Sequence, residues 1–267
     1  MLTWLYVPGD RPDRFAKAVD SGADAVIIDL EDAVVADRKE YARAAVTEFL
    51  GERHAVPVHV RIGNLDADLP AIEGLPGLAG LRLPKIERPD QVLAVAERTA
   101  VRLHPIIESA AGVEAAYAIA SAHAAVASVG LGEADLCSDL GVTDEAALAW
   151  SRGRIVVAAR AAGLPPPAMS VYPHLSDLDG LAASCRAGRA QGFLGRAAIH
   201  PRQLPVIVAA FRPAPEEVAR AMALLSGVEA AATAHTGTVV LPDGRFADRA
   251  MIGAARRVLD LATRYAP

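Results

Sequence analysis

Short, continuously apolar runs alternate with longer stretches of helical period through residue 212. Most of the runs are rich in β-branched residues and lack polar alternation, which is typical of strands buried on both faces. Eight runs occur, at Leu2–Val7, Ala25–Leu30, Val56–Ile62, Gly80–Leu83, Leu103–Ile107, Val126–Leu131, Met169–Tyr172 and Ala197–Ile199. Eight strand–helix units predict a TIM (β/α)₈ barrel as a catalytic domain over residues 1–212. An open doubly wound sheet is the alternative, because periodicity does not report closure.

The pattern changes in residues 213–267. A helix is predicted from Glu216 to about Ala234, a turn-centred pair of strands around Asp243-Gly244, and a last helix from about Asp248 to Arg264. This tail is expected to be too small for a core of its own. We therefore expect a C-terminal helical and hairpin lid that packs on the barrel or on a neighbouring subunit.

Composition and charge limit the classes of partner and the cellular compartment that we expect. The formal charge is −5, from 27 basic and 32 acidic residues without a basic block, so no nucleic-acid partner is expected. Cys137 and Cys185 are interpreted as thiols in a reducing compartment. The apolar N-terminus is interpreted as a first strand, and polar residues interrupt the alanine-rich stretch at 110–129. A cytoplasmic protein without a membrane partner is expected.

Polar or ionisable residues follow every apolar run, at the strand ends where barrel enzymes place their active sites. A purely structural barrel needs few of these groups, because burying an unpaired charge is costly. The ends carry Asp10-Arg11, Asp29-Leu30-Glu31-Asp32, Arg61, Lys85, Glu108-Ser109, Glu133-Ala134-Asp135, Tyr172-Pro173-His174 and His200. The set as a whole indicates a functional site.

Glu108 and Asp135 end the fifth and sixth runs, which are neighbours in a barrel, so their carboxylates should converge. Two carboxylates completed by water or substrate oxygens suit Mg²⁺ or Mn²⁺, and no His/Cys cluster suggests zinc. Alternatively, each carboxylate caps a helix or pairs with Arg61. Other acids at neighbouring ends favour the metal; they are Glu31, Asp32 and Glu133.

Two sets of basic residues are candidates for anion binding. Arg61 ends the third run and suits a carboxylate or a developing enolate, or else a salt bridge to a nearby acid. Arg11, Arg14 and Lys17 lie at the start of the first helix, where phosphate groups are favoured. Exposed basic residues on a first helix are common, so this second signal is weak.

Five motifs in order along the chain carry a family resemblance. They are Leu5-Tyr6-Val7-Pro8-Gly9-Asp10-Arg11-Pro12, Ile28-Asp29-Leu30-Glu31-Asp32-Ala33-Val34, Leu83-Pro84-Lys85, Ile107-Glu108-Ser109-Ala110-Ala111-Gly112 and Ile199-His200-Pro201-Arg202-Gln203. The chain resembles the citrate lyase β-subunit-like proteins of the HpcH/HpaI aldolase superfamily, which includes malyl-CoA and citramalyl-CoA lyases. The resemblance covers nearly the whole chain.

The resemblance implies a TIM barrel with a lid, Mg²⁺ bound by Glu108 and Asp135, and Arg61 on the substrate carbonyl or carboxylate. It further implies a homo-oligomer, a trimer or hexamer, in which the lid aspartate, here Asp248, completes a neighbour's site. Glu31 and Asp32 are catalytic candidates. The residues expected to bind the substrate or CoA are Tyr6, Val7, Arg11, Lys17, Arg61 and Lys85.

The expected reaction is Mg²⁺-dependent cleavage, or Claisen-type formation, of a β-hydroxyacyl thioester into a small keto acid (glyoxylate, pyruvate or oxaloacetate) and an acyl-CoA, with thioester hydrolysis as an added step in some relatives. Three alternatives remain. The first alternative is a citrate lyase β subunit that acts on a carrier-protein thioester. The second is a CoA-independent pyruvate-type aldolase, and the third is a non-catalytic binding protein.

Overall fold

The computed structural model describes residues 1–233, 239–240, 246–247 and 251–266, and the side chains of 1–229 and 251–266. Contacts divide the chain into two compact units, Met1–Ala210 and Phe211–Pro267. Within the described residues, no helix is long and apolar enough to cross a membrane. The assignment of the two parts as catalytic domain and lid stays a prediction.

A parallel seven-stranded sheet forms the first unit. Its order is β6-β5-β4-β3-β2-β1-β7, so the chain adds strands on one side of β1 and returns to pair on its other side. The strands are β1 (Thr3–Pro8), β2 (Ala25–Asp29), β3 (Val58–Arg61), β4 (Leu78–Leu83), β5 (Arg102–Ile107), β6 (Gly130–Leu131) and β7 (Arg196–Ala198). The sheet is curled into a half-barrel.

Two of the last three predicted strands are shorter than expected. The run Val126–Leu131 keeps only β6 and an isolated bridge from Val126 to Leu103. The run Met169–Tyr172 is not a regular strand, which corrects the count of eight, and it contributes one bridge from Met169 to Arg196. Three prolines at 165–167 precede it, and prolines cannot donate to a strand ladder. In the described part of the chain, no strand pairing joins β6 to this segment.

Helices follow the strands, as predicted. They are α1 (Phe15–Val19), α2 (Lys39–Phe49), α3 (Leu65–Ile72), α4 (Pro89–Ala96), α5 (Ala110–Glu114), α6 (Ala116–Ala120), α7 (Glu133–Leu140), α8 (Ala149–Ala161), α9 (Leu178–Gln191) and α10 (Leu204–Phe211). Side-chain caps set several of their starts: Asn64 accepts hydrogen bonds from the first turn of α3, and Asp177 from that of α9. Gly192, in the left-handed conformation, ends α9.

The two faces of the sheet differ in polarity. One face is apolar and buried, with Val58 and Val60 of β3 beside Leu81 and Leu83 of β4. The opposite face, which we call the inner face, carries a polar row of register partners across β2–β5. These partners are Asp29, Arg61, Arg82 and His104. A row of ionisable groups therefore crosses the sheet below its carboxyl edge.

The second unit contains α11 (Pro215–Thr233), the antiparallel pair β8 (Val239–Val240) and β9 (Phe246–Ala247), and α12 (Ile252–Arg264). The helices and the strand pair lie where they were predicted. The expectation that this tail lacks a core is corrected. Ala221 and Leu224 of α11 and Ala255 of α12 are buried together, with further apolar residues packed around them. Two amphipathic helices can bury a small cluster between them without a larger domain.

Candidate active site

Arg61 lies at the centre of a buried ion-pair cluster at the carboxyl edge of the sheet. Its Nε donates to Oδ1 of Asp29 at 2.7 Å and its Nη2 to Oδ2 at 2.6 Å, while Nη1 lies 2.8 Å from Oε2 of Glu31. Asp29 and Arg61 are register partners that end β2 and β3, so the sheet itself brings them together. The two hydrogen bonds to Asp29 use two of the five guanidinium N–H groups, and the contact with Glu31 is an ion pair without a hydrogen bond.

Glu31 links Arg61 to Lys85. The carboxyl of Glu31, 6% exposed, accepts from Lys85 Nζ at 2.5 Å in addition to its pairing with Arg61. Lys85 Nζ also lies 3.5 Å from Oδ1 of Asp32, which is exposed. The ammonium of Lys39 holds the segment that carries Glu31 by donating to the carbonyls of Leu30 and Glu31. The site therefore contains an accessible ammonium held by two carboxylates.

The backbone at Lys85 has an unusual conformation. Its φ is +55°, in the left-handed region that few non-glycine residues adopt. In this conformation its amide donates to Oε1 of Glu108 at 2.9 Å. A left-handed residue at a strand end re-aims the chain, and such residues cluster at functional sites. Lys85 thus contacts Glu31 through its side chain and Glu108 through its backbone.

Glu108 and Asp135 converge, as the sequence predicted. Glu108 directly follows β5 and is 6% exposed, while Asp135 lies in the first turn of α7 and is half-buried. The two carboxyl groups are within hydrogen-bonding reach of each other. Gly132, just before α7, makes this approach possible, since a Cβ there would lie 2.7 Å from Oε2 of Glu108.

The charge state of this pair fits a divalent cation. Burial, and then the neighbouring Asp135 carboxyl, raise the pKa of Glu108 to about 8. Two adjacent carboxylates repel each other when both are ionised, and a cation between them removes the conflict. The side-chain atoms that would bind the metal are all oxygens, which suits Mg²⁺ or Mn²⁺. The described residues hold no group of three or more metal-binding side chains, so water or substrate oxygens would complete the coordination.

Glu133, the first residue of α7, is held by a different partner from those predicted. Arg152 of α8 donates to it twice, at 2.7 and 2.6 Å, and also contacts Glu145 at 3.2 Å. Arg152 is 9% exposed. This clamp fixes the start of α7, and with it the helical turn that carries Asp135.

The residues predicted to bind the substrate or CoA fall into separate places. Tyr6 is half-buried on the inner face, with its ring centre 5.3 Å from the Arg61 guanidinium carbon. Val7 is 3% exposed and points to the other face, which leaves only its backbone to line a site. Arg11 pairs with Asp13 at 2.9 Å, and Lys17 is exposed on α1. Asp248 lies outside the described residues.

The structure therefore brings six predicted residues into one site: Tyr6, Glu31, Arg61, Lys85, Glu108 and Asp135. Asp32 joins at its exposed rim through Lys85. Sequence reasoning missed the roles of Asp29, Lys39 and Arg152 as the partners that hold this site. A signal existed for Asp29, which is among the polar residues at the end of the second apolar run, but Lys39 and Arg152 lie in helices where charged residues are ordinary.

The chain is similar to known proteins of one family. The HpcH/HpaI aldolase/citrate lyase family model matches residues 2–201. A (3S)-malyl-CoA thioesterase of Cereibacter sphaeroides is 35% identical over 269 residues, covering 96% of this chain and 92% of the relative. A citrate lyase subunit beta-like protein of Mycobacterium tuberculosis is 34% identical over 249 residues and 89% of each chain. The crystal structure of CitE from M. tuberculosis with magnesium, acetoacetate and coenzyme A matches with a TM-score of 0.82 at 30% identity over 98% of each chain.

Proposed function

The chain belongs to the HpcH/HpaI aldolase/citrate lyase family, and on this basis we propose that it cleaves, or forms by Claisen-type condensation, the carbon–carbon bond of a β-hydroxyacyl-CoA. The chain is an enzyme of the Mg²⁺-dependent lyase type. Malyl-CoA, citramalyl-CoA and citryl-CoA are the substrates considered, and glyoxylate, pyruvate and oxaloacetate the corresponding keto acids. The finding that supports the proposal most is the Glu108–Asp135 pair beside the Lys85 and Arg61 cations.

The proposed roles follow from the contacts. A divalent cation held by Glu108 and Asp135 would polarise the substrate's hydroxyl and the carbonyl that forms from it. In malyl-CoA the hydroxyl loses its proton to solvent as the bond between the hydroxyl-bearing carbon and the carbon next to the thioester breaks. Glyoxylate leaves, and the electron pair of that bond passes to a thioester enolate. The N–H groups of Arg61 that do not donate to Asp29 and the Lys85 ammonium can stabilise that negative charge. A carboxylic acid, proposed to be Asp248, protonates the enolate to give acetyl-CoA.

Glu31 and Asp29 act on the cations rather than on the substrate in this proposal. Asp29 fixes the plane of the Arg61 guanidinium through two hydrogen bonds, and Glu31 bridges it to Lys85. A preorganised donor pair needs little rearrangement as charge develops, which is the main source of electrostatic stabilisation in enzymes. Glu31, and then Asp32, would raise the pKa of the exposed Lys85 ammonium.

The test is incubation of the purified protein with malyl-CoA, citramalyl-CoA and citryl-CoA, with Mg²⁺ or with EDTA, followed by chromatographic separation of products. We expect keto acid and acyl-CoA in equal amounts, only with metal. Glu108→Gln and Asp135→Asn should abolish turnover, while Glu52→Gln, at an exposed position on the loop before β3, should not. The proposal would be overturned if none of these substrates were turned over in the presence of Mg²⁺.

Hydrolysis is the second candidate, because a relative at 35% identity is named as a (3S)-malyl-CoA thioesterase. It would use the same site but cleave the carbon–sulfur bond, giving malate and free CoA instead of glyoxylate and acetyl-CoA. The same chromatogram separates the two outcomes. Detectable binding of free CoA would count against a citrate lyase β subunit specific for a carrier protein. Turnover that does not depend on a CoA group in the substrate would favour the pyruvate-type aldolase.

The complete architecture is also part of the proposal. We propose a closed TIM barrel whose eighth segment, at Met169–Tyr172, completes the ring, and a lid formed by residues 213–267. A trimeric or hexameric homo-oligomer with Asp248 contributed in trans is the accompanying expectation. The support is the family membership and the compact C-terminal unit with its own small buried cluster.

A further inference from the structure

Arg82 lies on the inner face of the sheet without a counter-charge. It is 9% exposed, and its Nε has no hydrogen-bond acceptor. In the part of the chain that the structure describes, its guanidinium makes no ion pair, and its side-chain neighbour is the Trp4 ring, whose centre is 5.7 Å away. The contrast with Arg61, the next residue in the same row, is clear, because Arg61 contacts two carboxylates.

The two histidines and the tyrosine near Arg82 do not supply a counter-charge. Burial, and then the Arg82 charge, lower the pKa of His59 to about 3 and that of His104 to about 2. The rings of these two histidines lie 4.6 Å apart, and Nδ1 of His59 has no partner. Tyr6 also senses the Arg82 charge, but burial raises the pKa of its hydroxyl, so it does not ionise to balance that charge.

An unpaired buried charge is expensive, at several kcal/mol or more. The other buried arginines among the described residues, Arg152 and Arg196, have protein acceptors: Arg196, 2% exposed, donates to the Ser170 carbonyl and to the Ser184 hydroxyl. Water can accept hydrogen bonds from Arg82 but does not neutralise it. Trp4, Tyr6 and His104, on the same inner face, are each half-buried.

We propose that Arg82, with Trp4, His59 and His104 around it, forms an internal binding site for a small monovalent anion such as chloride, distinct from the Glu108–Asp135 pair. The anion accepts hydrogen bonds from the guanidinium and supplies the missing negative charge. Its size is limited by burial, which excludes large organic anions. Binding stabilises the folded protein because the unfolded chain has no such site.

The test compares thermal unfolding in sodium chloride and in sodium gluconate at equal ionic strength, without Mg²⁺. At chloride ten times its dissociation constant, we expect the wild-type Tm to be about 3 °C higher than in gluconate. Arg82→Met should remove the difference, and Arg102→Met, at an exposed arginine of β5, should keep it. Equal Tm values in the two salts for the wild type would overturn the proposal.

Crystals of the wild-type protein soaked in bromide give a second test, which does not depend on whether Arg82→Met folds. An anomalous peak within hydrogen-bonding distance of the Arg82 guanidinium is expected. Density there that fits water, with no anomalous signal, would contradict the proposal. Neither measurement uses activity, so a failure of the proposed lyase reaction and a failure of the anion site are separate results.

Discussion

The backbone amide of Lys85 donates a hydrogen bond to Oε1 of Glu108 over 2.9 Å. This bond joins the ends of β4 and β5 and exists because Lys85 adopts a φ of +55°. The same residue directs its ammonium to Glu31. One residue thus orients a proposed metal ligand through its backbone and supplies a cation through its side chain.

Two substitutions separate these contributions. Lys85→Gly keeps the amide and suits the left-handed conformation, so the free energy of unfolding should stay within about 0.5 kcal/mol of wild type. Its kcat should nevertheless fall by about 100-fold, because a charged donor is lost. Lys85→Val should in addition lower the free energy of unfolding by about 1–2 kcal/mol. Urea denaturation and steady-state kinetics measure both, and full activity of Lys85→Gly would show that the ammonium is dispensable.

Gly132 offers a test of the metal site that leaves every ligand in place. A Cβ at this position would lie 2.7 Å from Oε2 and 3.0 Å from Cδ of Glu108, so Gly132→Ala must displace that carboxyl. We expect the Mg²⁺ dissociation constant to rise by about tenfold or more, measured by calorimetry. Gly130→Ala is the matched control, since a Cβ there meets nothing within 4 Å. Equal Mg²⁺ affinity in the two variants would separate Glu108 from metal binding.

The strand ends of the first unit could be predicted from sequence because apolar runs and the polar residues after them are local signals. Glu108 and Asp135 were found in this way. The pairing of Asp29 with Arg61 could not be chosen over a free Arg61, since both readings fit the same residues. The contact depends on register between β2 and β3, which a single sequence does not report.

The polar inner face had a signal that the search for apolar runs passed over. The segments Val58-His59-Val60-Arg61 and Leu81-Arg82-Leu83 alternate with a period of two, so their polar residues share one face. The irregular seventh predicted run, Met169–Tyr172, also had a local cause in the prolines at 165–167. Arg152 had none, because its partner Glu133 is 19 residues away in sequence and the contact depends on how α7 and α8 pack.

The proposed sharing of Asp248 between subunits predicts complementation. Glu108→Ala and Asp248→Ala should each be inactive, but co-expressed chains that assemble at random should regain about one quarter of the wild-type sites. A site within one chain cannot be restored in this way. The readout is the activity of purified mixed oligomers, with each variant alone as control. Mixed oligomers no more active than their parents would place Asp248 in its own subunit's site or outside catalysis.

His59 and His104 make the fold sensitive to acid. Burial, followed by the Arg82 charge, lowers their pKa values in the folded protein to about 3 and about 2, whereas an unfolded histidine titrates near 6.5. Below pH 6.5 the unfolded chain therefore binds more protons, and stability that is fully present above this pH is lost as the pH falls towards 3. At pH 5.5 each histidine should account for a loss of about 1.4 kcal/mol.

The measurement is urea unfolding at pH 7.5 and pH 5.5, with the loss of unfolding free energy between them compared among variants. His104→Gln, which can keep a hydrogen bond to Ser128, should lose about 1.4 kcal/mol less than wild type on acidification. Carboxylates that titrate over the same range cancel in this comparison. His123→Gln, at an exposed histidine away from Arg82, is the control and should lose as much as wild type. An equal loss in wild type and His104→Gln would mean that His104 takes up its proton without unfolding, contrary to its burial beside Arg82.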